Sequence, residues 1–257
     1  MSGLQALYVD GPAGCEVRLD DGVALSIGVP GRARRLVPLR RLSRVLSGTD
    51  AHWDGDALLA CLRAGVPVVF HDARGEPVGW CFGPRRRETT LAQLLREGLS
   101  RPEWDSHFGD WKAACERREM LAAAAELGVH WAGTDAAAMR VQLCNRHRAE
   151  TGAGARKWLR ALRSAAAGLV GQQLHDAVGD AELLAYARAG LNLPWVFTTL
   201  MEWRLHRILH ATPAWSLAEE APVLFAARAV ERHGATLHGT IGALTGDLEH
   251  TLRGWLW

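Results

Sequence analysis

Lysine is nearly absent from this chain: Lys112 and Lys157 are the only two among 30 basic residues, and arginine supplies the rest. The familiar signature loops are missing as well. There is no G-x-x-x-x-G-K-[ST], no G-x-G-x-x-G after a strand, no G-x-S-x-G and no H-E-x-x-H. Their absence excludes P-loop NTPases, dinucleotide enzymes, α/β-hydrolases and zincins as first readings. The five cysteines (Cys15, Cys61, Cys81, Cys115, Cys144) are odd in number, scattered and never C-x-x-C. That argues against a disulfide framework or a zinc ribbon and for a reducing compartment. No apolar run approaches the ~18 residues of a membrane span. The opening MSGLQALYVDGPAG has no basic region leading into an apolar one, as a signal peptide would. A cytoplasmic protein without a membrane association is expected. Excess charge is lacking too, the formal net charge being +2.

What remains is a globular composition: 257 residues, 48% hydrophobic and 23% charged, enough for one large core or two modest ones. The first third reads as strands. QALYVD (5–10), CEVRLD (15–20) and VALSIG (23–28) alternate in hydrophobicity, with Asp21-Gly22 as a hairpin signal between the last two. RRLVPLR (34–40), LSRVLSG (42–48), PVVFHD (67–72) and PVGWCFG (77–83) continue the pattern. DGDALLACLRAG (54–65) has helical spacing and ends on Gly65. A small, mostly antiparallel sheet structure with one short helix is expected over 1–84. After Gly83-Pro84 the chain turns to Ala/Leu/Arg/Glu runs. Helices are expected at 89–98, 107–127, 135–147, 151–174, 180–190, 194–210, 217–233 and 239–254, with a loop at Gly234. The fold class is therefore α+β: a β-rich N-terminal domain (1–84) followed by an all-helical domain (85–257).

Arginine is concentrated in three places. Arg32, Arg34, Arg35, Arg40, Arg41 and Arg44 surround strands of the head and read as a solvated sheet face. Arg85, Arg86 and Arg87 at the junction are either a solubilising turn or a grip on phosphate. Between 140 and 163 lie Arg140, Arg146, Arg148, Arg156, Lys157, Arg160 and Arg163 against the single acid Glu150. Arg156, Arg160 and Arg163 share one helix face. A stripe of one sign repels itself unless something negative lies along it, either nucleic-acid phosphate or acids from elsewhere in the fold. Glu150 then relieves local charge or serves as a metal ligand. His210 with Glu219 and Glu220 is a donor set suited to Mg2+ or Mn2+. Glu202, His206 and His210 form a second set on one helix stripe, and His238, Asp247 and His250 a third. The 11 tryptophans are expected mainly to pack between helices.

Taken in order, these features resemble the CRISPR-associated spacer-acquisition integrase, the catalytic subunit of the adaptation complex. The segments ALYVDGPAGCEVRLDDGVALSI, RRLVPLRRLSRVLSG and ALLACLRAGVPVVFHDARGEPVG look like that family's N-terminal β domain. AETGAGARKWLRAL resembles the helix whose glutamate binds metal, which maps to Glu150. LHRILH ends on the family's L-H at His210, and SLAEE resembles S-L-A-x-D, placing Glu220 where an aspartate is usual, with Glu219 as the neighbouring register. The resemblance implies a metal-dependent endonuclease and integrase that joins short DNA fragments to the CRISPR repeat by transesterification. It implies Glu150, His210 and Glu220 as catalytic ligands of Mg2+ or Mn2+, with Glu219 the alternative. DNA, double-stranded or branched, would run along Arg85, Arg86, Arg87, Arg146, Arg148, Arg156, Lys157, Arg160 and Arg163. The partners implied are a second copy of the chain, as a homodimer, and the small second adaptation subunit. A catalytically degenerate DNA-binding or scaffold relative is the alternative that the glutamate at the third position leaves open.

Overall fold

The Asp-Gly pair opens the fold as its chemistry dictates. In the computed structural model, which describes residues 4–9, 14–84, 88–130, 133, 135–151, 155–186, 190–213, 217 and 221–257, Asp21 and Gly22 both take positive φ (46° and 72°). They are the central residues of a tight turn closed by Val23 N donating to Asp20 O, in a three-residue connection that leaves Asp20 opposite Ala24. It joins β2 (Glu16–Asp20) to β3 (Ala24–Gly28) in antiparallel register, Val17 facing Ile27 and Leu19 facing Leu25.

The head is two four-stranded sheets rather than one. β4 (Arg35–Pro38), β3, β2 and β6 (His52–Trp53) form one; β1 (Gln5–Val9), β5 (Leu42–Gly48), β7 (Val68–His71) and β8 (Pro77–Cys81) form the other. The expected antiparallel character holds for β2–β3, β3–β4 and β7–β8, whereas β1–β5, β5–β7 and β2–β6 are parallel. The reason is the crossover. The helix α1 (Gly55–Arg63), capped by Asp54 accepting from the Asp56 amide, lies between β5 and β7, so β7 returns in the same direction as β5. Leu7, Val9, Val17, Leu25, Val45, Cys61 and Val68 fill the space between sheets and helix.

The described remainder is helical: α2 (Thr90–Leu99), α3 (Trp104–Glu126), α4 (Ala136–Thr151), α5 (Ala155–Val178), α6 (Ala181–Leu184), α7 (Leu193–His210), α8 (Pro222–Arg232) and α9 (Gly234–Leu256). Side-chain caps fix several starts: Thr89 accepts from Ala92 N, Asp135 from Ala138 N, Asp180 from Glu182 N and Asn192 from Trp195 N. Two expectations are corrected. The helix over 180–190 stops at Leu184, because Ala185 leaves helical geometry (φ −141°, ψ 77°) and Leu191 N closes a turn on Tyr186 O; residues 187–189 lie outside the described residues. The loop expected at Gly234 is a turn at His233 alone, with α9 beginning at Gly234.

Head and body share a core. Leu46 of β5 is packed in the same cluster as Trp158, Leu162, Leu169 and Phe197. Trp80 Nε1 donates to Ala167 O at 3.2 Å, and His175 Nε2 donates to Gly83 O at 3.0 Å. Two glycines of α5 make this approach possible: a Cβ on Gly168 would stand 3.0 Å from Leu46 Cδ1, and one on Gly171 would stand 2.8 Å from Trp80 Cδ1. Gly171→Val is therefore expected to destabilise the protein by about 1–3 kcal/mol through overpacking. The urea unfolding midpoint should fall accordingly; an unaltered midpoint would mean that the two halves are not held by this contact.

Candidate active site

Two helices bring the central residues together. Glu150 lies in the last turn of α4 and His210 is the last residue of α7. His210 Nδ1 is 3.3 Å from Glu150 Oε2, although 60 positions separate them in sequence. On the other oxygen, Arg146 Nε donates to Glu150 Oε1 at 2.6 Å while its guanidinium also reaches Leu127 O at the end of α3. The Arg146 hydrogen bond, supported by His210, holds the Glu150 carboxyl below the usual carboxylate range. Glu150 is half exposed whereas the His210 imidazole is buried.

Behind His210 stand two more buried histidines. The His147 ring is edge-to-face with that of His210, centroids 5.2 Å apart. His206, one turn earlier on α7, is buried against Trp203. Burial pushes both imidazoles towards the neutral form, His206 down to about 3. Among the described residues, neither ring nitrogen of His147 or His206, nor His210 Nε2, has a hydrogen-bond partner.

Carboxylate oxygen and imidazole nitrogen are the donors Mn2+ and Mg2+ take. A 3.3 Å separation also suits two adjacent ligands of one ion with bonds of roughly 2.1 Å. The pair therefore fits such an ion. Glu219 and Glu220 lie outside the described residues, and among the described residues no group of three His, Cys, Asp or Glu side chains converges to hold a metal.

The two other histidine sets do not assemble. Glu202 is 3.9 Å from His206 and is drawn into arginine contacts, with Arg140 at 3.6 Å and Arg163 at 3.9 Å. Asp247 accepts from Cys115 Sγ and Arg118 Nη1, both at 3.2 Å, while His238 Nδ1 faces Gly234 O in its own helix.

The arginine stripe lines a groove of about 530 Å³ between α4 and α5, but acids from elsewhere enter it. Glu76, on the turn between β7 and β8, meets Arg160 at 3.5 Å and Arg163 at 3.3 Å. Arg140 pairs with Glu116 at 2.6 Å, and Arg163 also lies over the Trp195 ring. The four paired arginines, Arg140, Arg146, Arg160 and Arg163, thus have internal partners. Arg148 and Arg156 line the same groove, exposed and with no ion-pair partner among the described residues. Lys157 sits over the Trp158 ring. Arg85, Arg86 and Arg87 lie outside the described residues. In the head, Arg34 pairs with Glu16, and Arg44 departs from the expected solvated face: it is buried, its guanidinium towards Gln172 of α5.

Sequence reasoning missed Glu76, Glu116 and His147. Only His147 carried a local signal, standing one helical turn before Glu150. The tryptophans mostly pack as expected, with Trp104, Trp111, Trp158 and Trp203 buried.

No protein-family model matches this chain, and no curated protein sequence does. Solved structures do. A CAS1 protein from Thermotoga maritima superposes with a TM-score of 0.73 at 10% identity, covering 97% of each chain. TtCas1 gives 0.61 at 20% identity over 99% of each. A casposase bound to integration product gives 0.56 at 10% identity, over 91% of this chain and 82% of that one. The fold is thus one shared with these Cas1 proteins and the casposase. Within it, the chain has the Cas1-like architecture, a β-rich head on a helical body. No helix of the described residues is long and apolar enough to cross a membrane.

The buried histidines set a pH dependence. An unfolded histidine titrates near 6.5, while folded His206 does so near 3. Between those values the unfolded chain binds a proton that the folded chain refuses, so stability falls as pH drops through that window. Each such histidine contributes a slope of up to about 1.4 kcal/mol per pH unit. His206→Leu should flatten the fall in urea midpoint between pH 6.5 and 4 by roughly one proton, measured with a chelator present. Equal slopes in variant and wild type would mean that His206 is not held neutral.

Proposed function

We propose that this protein is a metal-dependent DNA integrase and endonuclease of CRISPR adaptation, which joins short DNA fragments to the repeat by phosphodiester transesterification. The observation that carries the reading is the meeting of Glu150 and His210, 3.3 Å apart at the ends of α4 and α7, within a Cas1-like fold. Glu150 and His210, with Glu220 or Glu219, would hold Mg2+ or Mn2+. Such an ion, when bound, polarises the scissile phosphodiester and activates the attacking 3′-hydroxyl. His210 contributes a buried nitrogen whose position is set by packing. Glu150 contributes an exposed carboxylate that Arg146 keeps ionised. Arg148, Arg156 and Lys157 supply unpaired positive charge for double-stranded or branched DNA, and Arg85–Arg87 extend it at the junction. Arg160 and Arg163 join them where phosphate displaces Glu76, whereas Arg146 stays with Glu150 beside the DNA path.

The solved relatives support this choice of partners. One is a TtCas1–DNA complex, and another is a Cas6-RT-Cas1–Cas2 complex in whose longer chain this fold spans about a third. As the sequence resemblance implies, the chain would act as a homodimer with a small second adaptation subunit.

A catalytically degenerate DNA-binding relative is the second reading. It is favoured by Arg146 and His210 already engaging both Glu150 oxygens.

Strand transfer into a repeat-bearing DNA with Mn2+ separates the two. Under the first reading Glu150→Ala and His210→Ala lose at least about 100-fold in rate, the scale at which removing a catalytic group acts, while retaining DNA binding. A wild type without strand transfer or cleavage, or variants as active as wild type, would sink the integrase. The groove is tested separately. Arg148→Ala with Arg156→Ala should reduce the slope of log affinity against log salt by about 2. An unchanged slope would place the DNA elsewhere.

A further inference from the structure

In the three histidines gathered at Glu150, five ring nitrogens are buried without a hydrogen-bond partner among the described residues: both of His147, both of His206 and Nε2 of His210. Buried polar atoms are nearly always satisfied, and those that are not ask for an explanation. His206 lies four residues before His210 on the same helix, with its Nε2 3.9 Å from Glu202 Oε1. His147 comes from α4, and it alone of the two has a ring contact with His210.

The geometry of that contact is specific. The rings are nearly perpendicular, at 83°, with centroids 5.2 Å apart. A ring nitrogen lies roughly 1.1 Å from its centroid, so a linear N–H···N bond of about 2.9–3.0 Å puts two imidazole centroids about 5.2 Å apart. The rings therefore stand at the separation of a hydrogen-bonded pair, with nitrogen and carbon positions not yet in register. Since His210 Nδ1 already faces Glu150, the ring that turns is His147: a half-turn about its χ2 exchanges nitrogen and carbon positions without changing the shape of the ring. Both rings are buried, so water does not compete for the contact.

We propose that His147 is a positioning residue for His210: with a metal ion on His210 Nδ1 the ring proton lies on Nε2, and the His147 imidazole would accept it and hold the ring with Nδ1 towards Glu150. Metal-ligating histidines commonly donate their second ring N–H to a neighbouring acceptor, which fixes tautomer and orientation. In this fold the acceptor is a second imidazole instead of a carboxylate or carbonyl. The helical spacing supplies it: His147 and Glu150 are three residues apart on α4, so one helix face presents both the carboxylate and the group that aims its partner. The proposal rests on the reading of Glu150 and His210 as metal ligands.

The test is Mn2+ affinity of the full-length protein, by calorimetry and by the loss of free-ion EPR signal. Four proteins are compared: wild type, Glu150→Gln, His147→Phe and His147→Gln. His147→Phe keeps a ring but no acceptor, and should weaken Mn2+ binding by about 10–100-fold. His147→Gln restores an acceptor oxygen, and should stay within about threefold of wild type. Wild-type affinity in His147→Phe, together with loss in Glu150→Gln, overturns the role of His147 and leaves the metal site standing. Equal binding by wild type and Glu150→Gln overturns the metal reading itself. Equal loss in both His147 variants, with melting unaltered, overturns the acceptor role. If a variant fails to fold, wild type labelled with 15N-histidine decides. A nitrogen–nitrogen coupling between His210 Nε2 and His147 in the Mg2+-bound protein is expected, and its absence overturns the proposal.

Discussion

The structure depends on how closely the head can approach α5. Sixteen of the 24 residues of that helix are buried, so it is walled on nearly every side and no neighbour can move independently. Alanine and glycine at 165–168 and Gly171 let the sheet of β1, β5, β7 and β8 come down onto the helix. Larger residues such as Leu162, Leu169 and Leu174 join the core it shares with α7 and α8. Interiors are packed like crystals, so a helix enclosed in this way fixes the positions of whatever leans on it. The α7 helix leans on it along its length, and the end of α7 is where His210 sits. A contact between head and body thereby bears on a site at the far end of a different helix.

The same closeness explains the charge pattern. Arginines brought between packed helices lose water, and their charge must be met by protein groups. Glu76 from the head, Glu116 from α3 and Glu202 from α7 meet Arg140, Arg160 and Arg163. Arginine suits this role better than lysine, because its planar fork engages two carboxylates at once, as Arg140 and Arg163 both do. The scarcity of lysine thus has a structural use beyond composition. Among the described residues lining the groove, Arg148 and Arg156 have no ion-pair partner, with Lys157 next to Arg156 in the chain. Near-neutrality of the whole chain conceals a modest local excess rather than a broad basic stripe.

These pairings also mark the limit of what the sequence discloses. Local chemistry was legible: the Asp21-Gly22 turn, the end of α1 before Gly65, and α7 with its bounds almost to the residue. Strand direction was not, because alternation is the same in parallel and antiparallel strands, and only the route through α1 decides it. The helix over 180–190 was overread, since Ala, Leu and Tyr favour a helix that tertiary packing ends after one turn. Glu76 and Arg163 lie 87 residues apart, and no spacing rule reaches that far. Glu150, as the lone acid of a basic stretch, and His210, beside two carboxylates, each stood out locally, but only the family resemblance paired them, since no compact motif links them. The tertiary fold supplies their proximity, and it also supplies His147, whose role cannot be read without knowing which ring lies against it.

Glu150 and His210 are unequal partners. The imidazole is buried, ends a helix fixed by the core, and is backed by two further rings. The carboxylate is half exposed and reached from its own helix by Arg146. Preorganisation therefore resides on the nitrogen side, while adjustment falls to the oxygen side. That asymmetry bears on a glutamate at the third position, where the resemblance leads one to expect aspartate. An extra methylene can be absorbed if one oxygen donor is free to shift, and a half-exposed Glu150 is such a donor. Had both Glu150 and His210 been locked by packing, a longer third side chain would have had to displace a helix. With His210 fixed and Glu150 adaptable, the longer glutamate does not by itself exclude a working site.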